Sequence, residues 1–269
     1  MTPVEAEHRP HPWPYHFGGP ALISDPIVQC LLLVALTTVF FLLFPGVDPW
    51  FSGLFYLSGQ GFPVSQLAAF IAFRNLLRDV TWIVPVALVV LLLVKVALPW
   101  RKSLVSPRDA LFILATLAIG PGIVTNLIFK NHWGRPRPYQ IDLFGGASPF
   151  VGVWRITDYC STNCSFVSGE ASDAVWLLTI VVLLPARFRA PALRALVGLA
   201  VLFSLNRIAF GGHFLSDVLL AWWITLAIIA ALYRLFYVSP PAWLAEGTLD
   251  GLLGRAGIAL RRLVWRRRP

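Results

Sequence analysis

Residues 110–138 read ALFILATLAIGPGIVTNLIFKNHWGRPRP. The first 20 of them carry no charge, and about 20 apolar residues are what an α-helix needs to cross a bilayer. Three cations and two prolines follow at once, between Lys130 and Pro138. Charged groups at a membrane boundary are costly unless they bind a partner, so they indicate function. The stretch therefore predicts a membrane-spanning helix that ends in a binding site for an anion.

The composition of the whole chain is that of an integral membrane protein. Hydrophobic residues make up 57% of the 269 positions and charged residues only 13%, against about 25% charged residues in ordinary soluble domains. The formal net charge of +9 does not indicate nucleic-acid binding, because the cations lie at the ends of apolar runs. There they report membrane topology and contact with anionic lipids.

The hydropathy pattern predicts an all-α fold, a bundle of six transmembrane helices. Each apolar run is close to the length that a bilayer requires, and the fifth run reaches it when it extends through Phe210. The predicted spans are approximately 26–44, 80–98, 110–129, 169–184, 193–206 and 214–236.

The segments outside the spans predict three further parts around a membrane domain at 26–238. Residues 1–25 are rich in proline and histidine and predict an irregular arm. Residues 64–77 predict an amphipathic helix lying on the membrane surface, and 130–168 form a long outer loop. Residues 239–269 predict a basic amphipathic tail on the inner leaflet, with a solvated charge run that only fixes topology as the alternative.

The distribution of basic residues predicts the orientation. The connections after the second, fourth and sixth spans carry most of the arginines and lysines, which places them and both termini in the cytoplasm. Residues 46–80, 130–168 and 211–213 then lie on the opposite side, facing the periplasm or cell exterior of a bacterial-type inner membrane. All the polar motifs discussed below are on that side.

His213 and Asp217 are four residues apart at the start of the sixth span, so they share one face of a helix. Asp217 is predicted to accept the Nδ1 proton of His213, which leaves Nε2 with a lone pair for attack on phosphorus. The alternative is a structural pair that caps the helix.

Lys130, Arg137 and Arg207 supply one ammonium and two guanidinium groups, which suit the oxygens of a phosphoryl group. Arg135 is a fourth candidate, with a headgroup or loop contact as its competing interpretation. Ser168 and Gly169 directly precede the fourth span, and the free amides at a helix start bind anions. These residues are the predicted phosphate-binding set.

Glu170 follows at the membrane boundary among apolar neighbours. Desolvation there is expected to raise its pKa and make it a general acid, with an N-terminal acid that complements the helix dipole as the alternative. Cys160 and Cys164, in the loop before Ser168, either form a disulfide or remain free thiols. No cysteine and histidine spacing in the sequence matches a zinc site, so neither a metal nor another cofactor is expected.

Together these residues resemble the three-part signature of the type 2 phosphatidic acid phosphatase superfamily. The parts are Lys130-(six residues)-Arg137-Pro138, Ser168-Gly169 and Arg207-(five residues)-His213-(three residues)-Asp217. The resemblance implies a six-helix, metal-independent phosphatase. In it the histidine becomes a phosphohistidine supported by the aspartate, and the basic residues and the serine hold phosphate.

Three positions depart from the usual pattern of that family. Val167 replaces a proline, Asn206 replaces a serine and Glu170 replaces the histidine that protonates the leaving oxygen. Glu170 must then take over that proton transfer, or the acid comes from elsewhere, with His132 a remote candidate.

The sequence predicts hydrolysis of a phosphomonoester, or of the terminal phosphate of a diphosphate, on a membrane lipid. The candidate substrates are lipid A phosphate, undecaprenyl diphosphate, phosphatidylglycerol phosphate and phosphatidate. A lipid phosphotransferase with the same site and, from another class, a transporter that binds anions without turnover are the alternatives. Transporters usually show internal repeats and polar residues in mid-membrane, which are not evident here.

Overall fold

A computed structural model describes residues 24–245 and 247–265 of the chain. The predicted N-terminal arm therefore lies almost entirely outside the described residues. Within them the structure is helical and contains no β-strand longer than an isolated bridge. Its α-helices are α1 (Pro26–Leu43), α2 (Val47–Gly53), α3 (Ala68–Ala97), α4 (Pro107–Leu117), α5 (Lys130–His132), α6 (Gly169–Trp176), α7 (Ala186–Ala209), α8 (Leu215–Tyr233) and α9 (Thr248–Trp265).

Within the described part of the chain, five helical segments are long and apolar enough to cross a membrane. They are Pro26–Leu43, Ala68–Ala97, Pro107–His132, Ala186–Ala209 and Leu215–Val238. The predicted class, an all-α multi-pass membrane protein, is confirmed, but the count of six full spans is not exact. The predicted fourth span is α6 continued by a 3₁₀ segment, Leu177–Leu183. Together they are shorter than the roughly 20 residues of a complete crossing.

The predicted surface helix at 64–77 is not a separate element, and that prediction was wrong. Only Pro63–Gln66 forms a short 3₁₀ turn there, and α3 then runs unbroken for 30 residues. At about 1.5 Å per residue α3 is about 45 Å long, which exceeds a hydrocarbon core of about 30 Å. Its first turns, which carry Arg74 and Arg78, therefore extend beyond the most apolar part of the helix.

The third span is irregular, as its Gly120-Pro121-Gly122 sequence predicts. Between α4 and α5 the chain forms a π-helical segment, Ala118–Phe129, because proline cannot donate the regular helical hydrogen bond. The side chain of Asn126 donates to the carbonyl of Pro121 at 2.8 Å and satisfies one of the freed groups. The span thus stays continuous up to Lys130 despite the proline.

The core of the bundle lies around α6 and α8. Helix α8 packs against α1 and α6, and α6 also packs against α7. Trp176 is fully buried and donates its indole N–H to the carbonyl of Ile113 at 2.9 Å. Helix α1, in contrast, buries only Phe41. Its apolar surface faces outward, as expected for a helix in contact with lipid.

The C-terminal helix α9 docks on the last turn of α3. Lys95 and Asp250 form an ion pair at 2.8 Å, and Arg261 donates to the carbonyl of Ala97. Gly257 permits this approach, because a Cβ there would lie 2.1 Å from the carbonyl oxygen of Val96. The tail is thus helical over Thr248–Trp265 and is attached to the bundle, while its contact with the inner leaflet stays a prediction.

Candidate active site

One polar cavity of about 530 Å³ lies at the end of the bundle where α6 and α8 begin. Five residues predicted from the motifs line it together, although they come from three separate parts of the chain. They are Lys130, Arg137, Glu170, Arg207 and His213. The remaining lining residues are Arg74, Tyr139, Gln140, Cys160, Thr162, Asn163, Phe210 and Gly212.

His213 is 1% exposed and lies in the short turn between α7 and α8. Its Nδ1 donates to the backbone carbonyl of Ser165 at 2.7 Å, which leaves Nε2 as the ring nitrogen with a free lone pair. Burial holds the pKa of His213 well below its usual 6.5, and the charges of Arg137, Arg207 and Lys130 lower it further. The imidazole is therefore neutral, as a nucleophile must be.

Asp217 does not make the predicted hydrogen bond with His213. Its Oδ2 lies 3.9 Å from Nδ1 of His213, which is too far for such a bond. Instead Oδ2 accepts from the Ser165 hydroxyl at 2.5 Å and from the Phe214 amide at 2.9 Å. Asp217 therefore acts on His213 indirectly. It holds Ser165 in place, and the carbonyl of Ser165 orients the imidazole.

Arg135 is completely buried and does not line the cavity. Its guanidinium forms ion pairs with Asp217 at 2.6 Å and Asp48 at 2.8 Å, and it donates to Ser216 and to the carbonyl of Val151. Arg135 was predicted either to bind phosphate or to make a headgroup or loop contact, and the structure agrees with the loop contact. Asp48, at the start of α2, was not identified by the sequence, because nothing in its local pattern indicates a partner 87 residues away.

Ser168 and Gly169 do not line the cavity. Ser168 is buried and caps α6, since its hydroxyl accepts from the Ala171 amide at 3.3 Å. Gly169 allows Lys130 to approach, because a Cβ there would lie 2.7 Å from the Lys130 ammonium nitrogen. The glycine thus makes room for a cation of the site.

The surroundings of Glu170 differ from the apolar environment expected for it. One carboxylate oxygen pairs with Arg74 and the other with Arg207, each at 2.9 Å, and the side chain is 24% exposed. Both carboxylate oxygens thus face guanidinium groups, whereas a general acid needs an oxygen that can donate a proton to the leaving group. Arg74, on α3, was missed because the sequence placed it on a surface helix.

Cys160 and Cys164 are joined in a disulfide. The short loop that it closes carries Asn163 into the cavity, next to Arg137 and Lys130. No sequence motif marks Asn163.

Three comparisons relate this chain to known proteins. The sequence profile of the PAP2 superfamily matches residues 109–240, the stretch that holds the three motifs. A lipid A 4'-phosphatase of Rhizobium leguminosarum is 35% identical over 209 residues, which are 71% of this chain and 88% of the relative. A lipid A 4'-phosphatase of Francisella tularensis subsp. novicida is 34% identical over 221 residues, which are 77% of this chain and 96% of the relative.

A solved structure shows the same fold. The transmembrane PAP2 type phosphatidylglycerolphosphate phosphatase from Bacillus subtilis superposes with a TM-score of 0.53 and 17% sequence identity. The superposition covers 81% of this chain and 98% of the other. At this identity the likeness concerns the architecture.

Proposed function

This chain belongs to the PAP2 superfamily and is a multi-pass membrane lipid phosphatase, and on that premise we propose that its substrate is lipid A, from which it removes the 4'-phosphate. The two relatives named above, both lipid A 4'-phosphatases, support this choice among the four candidate lipids. The cavity chemistry supports the phosphatase reaction itself. One observation carries the mechanism: a neutral imidazole and four cations, the three from the motifs and Arg74, line the same cavity.

The first step is the transfer of the phosphoryl group to the enzyme. Nε2 of His213 attacks phosphorus in line with the bond to the lipid oxygen, the new P–N bond forms, and the P–O bond to the lipid breaks. Lys130, Arg137 and Arg207 bind the non-bridging oxygens and stabilise their charge in the transition state. The Ser165 carbonyl accepts a hydrogen bond from Nδ1–H and so stabilises the positive charge that the ring acquires.

The second step is hydrolysis of the phosphohistidine. Water attacks phosphorus, the P–N bond breaks, and inorganic phosphate leaves while the histidine regains its lone pair. The lipid oxygen that departed in the first step takes a proton from water, and the released phosphate, which carries both protons of the attacking water, returns one to the solvent. Glu170 is the predicted donor from the sequence, but its two ion pairs favour a different role, that of orienting Arg207 and Arg74.

The position of the cavity suits a substrate that stays partly in the bilayer. Arg74 on α3 lines the cavity, and one turn earlier on the same helix Phe70 and Ile71 are exposed. An acyl chain can remain against this apolar surface while the phosphate reaches the cations. We assign the cavity to the periplasmic side and both termini to the cytoplasm, on the distribution of basic residues. A green fluorescent protein fused to the C-terminus is then expected to fluoresce.

The test is phosphate release by detergent-purified protein from lipid A, undecaprenyl diphosphate, phosphatidylglycerol phosphate and phosphatidate in parallel. The expected result is the highest kcat/KM with lipid A and none with the His213→Ala variant. Acid-labile ³²P on the wild-type protein, but not on the variant, identifies the phosphohistidine. Undiminished release by the variant would refute the mechanism, and a preference for another lipid would refute the choice of substrate.

A further inference from the structure

Asn163 contacts two of the four cations that line the cavity. Its backbone carbonyl accepts from the Arg137 guanidinium at 2.8 and 3.3 Å, and its side-chain oxygen accepts from the same guanidinium at 3.1 Å. The same side-chain oxygen accepts from the Lys130 ammonium at 3.4 Å. A single residue thus touches both cations of the first motif.

The conformation of Asn163 depends on the loop around it. Its φ is +51°, a left-handed conformation that asparagine adopts more readily than most residues. The disulfide between Cys160 and Cys164 closes the loop around it. Beyond the disulfide, the amide of Cys164 donates to the carbonyl of Lys130 itself at 3.1 Å, so the loop is attached to the residue that it helps to place.

Two cations that face one cavity repel each other when no phosphate is bound. Long side chains such as those of Lys130 and Arg137 also lose rotamer freedom when they are held in one place. Neutral oxygen acceptors between them reduce the repulsion and select one arrangement without adding a negative charge that would repel the substrate. A carboxylate at the same position would repel a phosphate dianion.

We propose that Asn163, held in place by the Cys160–Cys164 disulfide, is a positioning residue that sets Lys130 and Arg137 for the phosphoryl group. The proposal rests on the phosphatase function proposed above. It adds a part of the site that lies in none of the three motifs, and it gives the disulfide a role in activity.

The decisive variant is Asn163→Gly, because glycine keeps the left-handed backbone and the carbonyl contact but removes the side-chain oxygen. Orthovanadate is the probe, and its affinity for the purified protein is measured by isothermal titration calorimetry without any lipid. This readout reports the cation site even if lipid A is the wrong substrate. Ser161→Ala is the matched control, since Ser161 is exposed in the same loop and does not line the cavity.

We expect Asn163→Gly to weaken vanadate binding by about tenfold, the size of one or two charged hydrogen bonds, and to lower kcat/KM on the lipid by a similar factor. The control is expected to stay within about twofold of the wild type. A merely structural role would lower the melting temperature without changing the vanadate affinity of the folded protein. Unchanged vanadate affinity in Asn163→Gly therefore overturns the proposal.

Reduction of the disulfide tests the second part of the proposal, that the disulfide holds Asn163 in place, without any substitution. Dithiothreitol is expected to weaken vanadate binding by the wild type, and to weaken it by a smaller factor in Asn163→Gly, because both changes act on the same contacts. Equal factors in the two proteins, or no effect on the wild type, would show that the disulfide does not act through Asn163.

Discussion

Replacing Glu170 with glutamine separates the two roles that this residue can have. The change removes one negative charge and keeps the shape of the side chain and one oxygen acceptor. The ion pair with Arg74 is 44% exposed on the arginine side and is worth about 0.2–1 kcal/mol. The pair with Arg207, whose side chain is only 6% exposed, is an ion pair that is largely buried, and removing one partner of such a pair costs about 3 kcal/mol.

Since glutamine retains part of both contacts, the expected loss is about 2 kcal/mol, or about 30-fold in kcat/KM. The loss follows from a misplaced Arg207, so vanadate binding weakens as well. Loss of a general acid lowers kcat by about 10²–10⁴-fold, removes the alkaline limb of the pH profile and leaves vanadate binding unchanged.

The assay is phosphate release over a range of pH together with vanadate titration of the same protein. Asp79→Asn is the matched control, because Asp79 is a 60% exposed acid on α3 whose contact with Arg78 at 3.7 Å is a surface pair. A thousandfold loss in kcat with normal vanadate affinity would refute the orienting role and restore Glu170 as the proton donor.

Three further predictions concern the histidine, the first motif and the buried ion pairs. Because the pKa of His213 lies well below 6.5 and only the neutral ring attacks, kcat/KM is expected to stay level as the pH falls to 6.5 and to decrease only below it; a decrease that begins above pH 6.5 would contradict the depressed pKa. Gly134→Ala places a Cβ 1.6 Å from a backbone oxygen at a φ of +63° and is expected to abolish folding. Size-exclusion chromatography of the purified protein measures this. The control Gly152→Ala, with nothing within 4 Å of its Cβ, should behave as wild type. Asp48→Asn removes one of the two carboxylates that neutralise Arg135 and is expected to cost about 3 kcal/mol, measured as a lower melting temperature in detergent; an unchanged melting temperature would show that the pair does not stabilise the fold.

Hydropathy predicted the positions of the membrane helices, but it did not predict where α3 begins. The start of the second span was predicted near Val80 because Arg74, Arg78 and Asp79 lower the local hydropathy. Those residues favour a polar environment without breaking a helix, so α3 continues through them. Hydropathy reports where a helix enters the bilayer, whereas its actual start depends on local backbone conformation and packing.

The motif spacing predicted which residues meet, and the cavity brings five of them together. It did not predict their hydrogen-bond partners. Helical spacing placed Asp217 on the face of His213, yet the carbonyl of Ser165, in the loop before α6, accepts the hydrogen bond from Nδ1–H. The sequence also did not predict the contacts of Asp48 and Asn163. These contacts join residues that are far apart in the chain, and no local sequence pattern encodes them.

Each cation of the cavity already has a protein oxygen as a partner: Arg207 has Glu170, while Arg137 and Lys130 have Asn163. A guanidinium has five N–H donors and an ammonium three, which is more than these contacts use. An incoming phosphate therefore binds to the remaining donors while the protein oxygens hold the cations in place. The site should consequently need little rearrangement when the substrate arrives, so that little conformational entropy is lost on binding.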